Sequence, residues 1–169
     1  MIVFWLRMLF GALLLGAGAY IAGTVDALPA VVATQFGAGG RPVSWMSRDG
    51  YRIFMLCFGV GVPLLIVAII TWLPRRFPDR VNIPNGSHWL APERRDASLA
   101  FLHALSLAIA CLIAAFFAGL HWLIVRSNAS GPPQLDYGLL LTLAGAFLVA
   151  EGLCMLALVR RFGKPPGAR

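Results

Sequence analysis

Three residues of this chain could do chemistry in apolar surroundings: His103, His121 and Glu151, with Arg7 inside the first apolar run and Arg52 at the edge of the second. Imidazoles ligate metals and haem iron, and beside a carboxylate they pass protons. Spacing decides against shared ligation. His103 and His121 stand eighteen residues apart, which is five helical turns and roughly 27 Å of rise, against about 2 Å for a zinc–nitrogen bond. They share a face, near opposite membrane surfaces. Cys57, Cys111 and Cys154 form no CxxC pair and sit in apolar runs, where thiols behave as small hydrophobes. The sequence offers no Ser/His/Asp set, paired carboxylates, phosphate-cradling glycine loop or metal-ligand cluster. It therefore predicts no catalytic residue, no metal, no cofactor and no disulfide, and a protein that is not an enzyme.

A role for Glu151 remains. Counted from the arginine-rich ends of their runs, Glu151 lies about eight residues deep and His103 about five, so antiparallel neighbours would bring them level. Glu151 is expected to face the interior and meet His103, or else Ser106. Ionisable groups in such positions are costly. The pair would be either a hydrogen-bonded neutral carboxyl or part of a proton path continued by Thr142.

The elements that must position these groups follow from composition. Hydrophobic residues make up 59% and charged residues 12% of the chain, against roughly half and a quarter in soluble domains. The excess lies in four runs, about residues 2–23, 53–73, 99–125 and 137–159, each near the roughly 20 residues that carry a helix across about 30 Å of hydrocarbon. Backbone groups in lipid need internal partners, so such runs are helices. The expected fold is an all-α membrane protein with four transmembrane helices, forming one domain over 1–162 with a disordered tail at 163–169. The first run, with its lone Arg7 and no Ala-x-Ala site, is taken as a retained span and not a signal peptide.

Positive charge sorts by side. Arg75, Arg76, Arg80, Arg94 and Arg95 lie between the second and third runs, and Arg160, Arg161, Lys164 and Arg169 follow the fourth. The other loops hold Arg41, Arg48 and Arg52, or Arg126 alone. The positive-inside rule then places both termini in the cytoplasm and the loop at 27–48 outside. The net charge of +7 is explained by anionic lipid, without nucleic acid. Asn128-Ala129-Ser130 forms a sequon on the outer side. Ala12, Gly16, Ala19 and Gly23 recur at spacings of four, three and four, a stripe that permits close helix packing, in the fold itself or against a partner. Gly59, Gly61 and Pro63 are expected to bend or loosen the second span, and Phe116, Phe117 and Trp122 to face lipid or the bundle core.

The two loops flanking the second span carry the most specific signals. Leu28-Pro29, Thr34-x-Phe36, Gly40-x-Pro42 and Trp45-x-Ser47-Arg48 resemble the first extracellular loop of the SdpI family of bacterial membrane proteins, and the run Asn82 to Arg95 (NIPNGSHWLAPERR) resembles that family's cytoplasmic loop. The resemblance covers about a third of the chain. It implies a bacterial inner-membrane protein of the toxin-immunity or signalling kind. The departures are Gln35, where members commonly carry His, and Ala30, Val31, Arg41 and Val43, where they carry charged residues. On its own residues the outer loop should fold compactly, since Pro29 interrupts the helix and Gly37, Gly39, Gly40 and Pro42 favour turns. It would serve as a cap, or as a surface where Gln35, Phe36, Arg41, Trp45 and Arg48 meet a peptide. Trp89 and Leu90 are expected at the lipid interface, Pro92 at the start of the third helix, and Glu93, Arg94 and Arg95 at lipid phosphates, nearby acids or a regulator. The expected partners are thus the lipid bilayer and a peptide or membrane protein. The main alternative is an accessory subunit of a larger membrane complex, and a third reading is a small transporter using Glu151.

Overall fold

The computed structural model describes residues 2–77 and 81–163, apart from the side chains of Ile2 and Arg75. Residues 164–169 of the expected tail, and Arg80, lie outside the described residues. Helix α1 runs Ile2–Thr24, strand β1 Val31–Phe36 and strand β2 Pro42–Ser47. Helix α2 covers Arg48–Leu56 and α3 Val62–Arg76, joined by a π-helical segment at Cys57–Gly61. A short α4, Gly86–Trp89, precedes the long helices α5, Pro92–Asn128, and α6, Tyr137–Phe162. Four continuous stretches, Val3–Ala27, Arg48–Pro74, Pro92–Asn128 and Tyr137–Phe162, are long and apolar enough to cross a membrane. The chain is a multi-pass helical membrane protein.

Helix α5 is the axle, with α1, α3 and α6 each packed on it. The buried face of α1 is Phe10, Leu14, Ala17 and Ile21, continued by Val25 just past its end. Phe10 and Leu14 lie on Leu107, Ala110, Cys111 and Ala114 of α5, while Ile21 and Val25 join Leu28, Val32, Tyr51 and Met55 in a second cluster under the hairpin. This overturns the packing role expected within the fold for the small-residue stripe. Ala12, Gly16, Ala19 and Gly23 are all exposed. Their 4-3-4 spacing is shared by Phe10, Leu14, Ala17 and Ile21, displaced by two residues, which is about 200° around a helix. The larger side chains bury more apolar area, and close approach comes from Ala110 and Ala114 on α5 instead.

In the second span Pro63 has no N–H and its ring crowds the carbonyl four residues earlier. The chain widens there into the π segment, closed by Val62 N–H donating to Cys57 O. Gly59 is buried in this segment, where a Cβ would sit 3.3 Å from Phe117 Cβ and 3.4 Å from Ile21 Cδ1. Of the bending or loosening expected here, the structure shows loosening, as a widened turn at Cys57–Gly61. On the outer side of α5, Phe116 stacks on Phe147 of α6 with ring centroids 4.5 Å apart.

Candidate functional site

The loop after α1 is a two-stranded antiparallel hairpin, with Val31 opposite Ser47, Val32 opposite Met46 and Ala33 opposite Trp45. A strand pair this small is not stable alone in water. Three helices hold it. Asn128, at the end of α5, accepts from Ala33 N–H through Oδ1 at 2.9 Å and donates from Nδ2 to Ala33 O at 3.0 Å and Ile124 O at 2.9 Å. Its amide thus takes the place of a neighbouring strand on the outer edge of β1. Tyr137, the first residue of α6, donates its hydroxyl to Gly37 O at 2.6 Å and Phe36 O at 3.1 Å. Arg48 opens α2 and reaches back to Asp26 O at 3.1 Å and Leu28 O at 3.2 Å. Beside it Arg52 pairs with Asp26. The turn is fixed by Gly39 and Gly40, with φ of 77° and 75°, and Gly40 O accepts from Leu135 N–H at 3.0 Å.

These contacts sort the residues expected to bind. Arg48 is a structural tie, and Ser47 caps α2 by accepting from Gly50 N–H at 3.2 Å. Phe36 is half-buried, while Gln35, Arg41 and Trp45 are exposed. Val31 and Val43 are exposed as well, so Val31 does not lie on the helix ends as Val32 does. The sheet ends at β2. Because the Ala33 peptide faces Asn128, its partner Trp45 belongs to a non-hydrogen-bonded pair, and the Trp45 N–H and C=O point outward from the free edge. Replacing Asn128 with alanine leaves the fully buried Ala33 without its partners. A loss of about 2 kcal/mol is expected, and amide exchange confined to β1 should rise with it; uniform exchange across the chain would assign the loss elsewhere.

Beneath the hairpin His121 is fully buried. Its Nε2 lies 2.7 Å from Thr24 Oγ1 and its Nδ1 2.9 Å from the Tyr51 hydroxyl. Thr24 spends its one proton on Tyr20 O at 2.6 Å, so it accepts from Nε2–H, and Tyr51 donates to Nδ1. The assignment is a neutral imidazole with every polar atom satisfied. The ring also stacks on Tyr51 and meets Tyr20 edge-on.

The other histidine sits near the arginine-rich end. Arg7 donates to His103 Nε2 from Nε at 3.2 Å and Nη2 at 3.0 Å, and His103 Nδ1 lies 2.8 Å from Thr71 Oγ1. With Nε2 accepting, Nδ1 carries the proton and Thr71 accepts it. The expected meeting of Glu151 with His103 or Ser106 is corrected accordingly. Arg7 and Thr71 hold the imidazole, Ser106 donates to His103 O at 2.8 Å, and Glu151 Oε1 is buried with no hydrogen-bond partner. Helices α1 and α3 both reach His103 across α5, whereas α6 carries Glu151 on a separate flank.

At the arginine-rich end Trp89 is buried and does not lie at the lipid interface. It donates Nε1–H to Phe162 O at 3.2 Å, and the Arg161 guanidinium lies 4.3 Å from its ring. Asn85 Nδ2 donates to Phe162 O at 2.9 Å and Gly163 O at 3.0 Å. Pro92 begins α5 as expected, with Glu93 in its first turn. Glu93 and Arg94 are exposed, and Arg95 is half-buried. Among the described residues no three of His, Cys, Asp and Glu come together as a metal-binding group.

Thr24, Tyr51, Thr71, Asn128 and Tyr137 carry much of this arrangement without having been singled out for it. Asn128 was visible only as the sequon residue, and its amide is committed to Ala33 and Ile124. The chain is 29% identical over 129 residues to an uncharacterised protein of Archaeoglobus fulgidus, covering 73% of this chain and 70% of that protein. No family model matches the chain, and no solved structure matches it.

Proposed function

We propose that this chain is a non-enzymatic, SdpI-like membrane protein that binds an extended peptide segment of a partner along β2, in immunity or signal relay. The hairpin carries the proposal. It is held rigid from α2, α5 and α6, yet it presents an unpaired strand edge flanked by exposed Val43 and Trp45. Main-chain pairing at such an edge supplies affinity, and alternate side chains supply choice of partner. Leu28, Gly40, Ser47 and Arg48 of the family-like motif build the hairpin, leaving Gln35, Arg41 and Trp45 to meet a ligand. The distribution of arginines supports a hairpin outside and both termini inside, and the bacterial inner membrane is what the SdpI-like motifs imply. The exposed Glu93 and Arg94 are then the accessible part of a cytoplasmic relay surface.

A photoreactive benzoyl side chain placed at Val43 tests this in native membranes. One discrete protein adduct is expected, and it should vanish when Trp45→Pro removes the outward N–H while the inner ladder remains. Adducts with lipid alone, or a protein adduct indifferent to Trp45→Pro, would remove the reading.

A second reading, the accessory subunit, is favoured by the outward stripe on α1. Nothing lies within 4 Å of a Cβ built on Gly16 or Gly23, so another helix could approach there closely. Gly16→Leu would then release the chain from its complex.

A further inference from the structure

The strongest unassigned site is the cleft at the arginine-rich end. Helix α1 packs on α5 and on the upper half of the second span, and α3 packs on α5. Below the π segment α1 and α3 part, leaving a cavity of about 340 Å³, within the size range of small-molecule sites. One wall is Val3 and Arg7, the other Ile70, Thr71 and Pro74, and the back is Asp96, Leu99, Ala100 and His103. The walls belong to three of the four membrane-length stretches.

Its charges are unusual. The hydrogen bonds of Arg7 both go to a neutral imidazole, from Nε and Nη2, leaving three of five guanidinium N–H groups uncommitted. Asp96 lines the same cavity without an ion pair to Arg7. An arginine at membrane depth is costly without an anion, and a cation and an anion that face one cavity with no ion pair among the described residues fit a ligand that carries both signs. Their order along the bundle is informative. Arg7 is pinned at the level of His103, and Asp96 lies seven residues earlier on α5, about 10 Å nearer the helix start. A negative group is therefore wanted deeper and a positive group nearer water. In a phosphoethanolamine lipid the acyl chains lie deepest, the phosphate next and the ammonium outermost.

We propose that this cleft binds the phosphoethanolamine headgroup of a membrane lipid, with its phosphate on Arg7 and its primary ammonium donating to Asp96. The lipid, and not free phosphoethanolamine, is the occupant, because the walls are membrane-length helices and the lining on the deep side of Thr71 is the apolar Ile70. A choline headgroup has no N–H to donate, and a glycerol headgroup has no cation.

Native mass spectrometry of the full chain in detergent, titrated with phosphatidylethanolamine, phosphatidylglycerol or phosphatidylcholine, tests the proposal. Retention of the ethanolamine lipid should be about tenfold tighter than either other, a difference of about 1.4 kcal/mol. Asp96→Asn should erase that preference while leaving phosphate binding, and Arg7→Gln should weaken all three. Ala100→Phe fills the cleft without touching either charge, and should block retention in a chain that still unfolds at the parental temperature. Equal retention of the three lipids, retention unchanged by Ala100→Phe, or displacement of the lipid by millimolar free phosphoethanolamine would overturn it.

Discussion

Replacing His121 with alanine is expected to lower stability by roughly 3 kcal/mol, combining the loss of a fully buried ring with an orphaned Tyr51 hydroxyl. His121 joins three helices, through Thr24 on α1, Tyr51 on α2 and its own backbone on α5. The cost falls on the hairpin half of the bundle, where the imidazole is the polar centre of an otherwise apolar cluster. Tyr51→Phe keeps the stacking and removes one hydroxyl, leaving Nδ1 unpaired, so about 1–2 kcal/mol is expected. Thermal unfolding in detergent, followed by near-ultraviolet circular dichroism, measures both. Because the two residues share one hydrogen bond, their losses should not add. Two losses within half a kcal/mol of zero would mean that the network carries no stability.

The second large effect is expected at the hairpin tip. Gly39 and Gly40 both have positive φ, but only Gly40 touches the rest of the protein. A Cβ there would lie 2.4 Å from the Leu135 carbonyl oxygen, whereas nothing lies within 4 Å of one on Gly39. Gly39→Ala should therefore cost about 1–2 kcal/mol from backbone conformation alone. Gly40→Ala adds a collision with backbone that has no flexible end to move, and about 3 kcal/mol or more is expected. Amide exchange at Leu135 separates the two: its bond to Gly40 O should open in Gly40→Ala and persist in Gly39→Ala. Equal exchange in both variants would show that the hairpin tip is not seated on the segment before α6.

The spans were legible because hydropathy over twenty residues is a sum, insensitive to what each residue touches. The hairpin was not. Val31 to Phe36 holds β-branched residues without clean alternation, and β1 is completed by Asn128, ninety-five residues away from Ala33. The loop's turn residues announced compactness but not strands. Among charged and polar groups, the sequence supplied the level of His103 and not its neighbours. Two helices offered partners at that level, and hydropathy does not say which pair adjoins α5 on which flank. The stripe on α1 misled for a related reason. Two rows with the same spacing lie on opposite faces, and only the partner helix distinguishes them. Trp89 followed a general preference of tryptophan for the membrane surface, overridden by a buried carbonyl at Phe162 that accepts its N–H.

The π segment at Cys57–Gly61 also sets the relative phase of the two histidine sites. Tyr51 and Thr71 are twenty residues apart on one span, and in a uniform α-helix they would point about 200° apart. The wider turn takes up close to one residue's worth of rotation, about 100°, and so helps the same span reach His121 above and His103 below. The second span behaves as two half-helices whose angular offset is written in a single surplus residue. Drift in this lineage that deletes one position between Cys57 and Gly61 would preserve hydropathy, a membrane-spanning length and every polar side chain, and would still turn Thr71 away from its histidine.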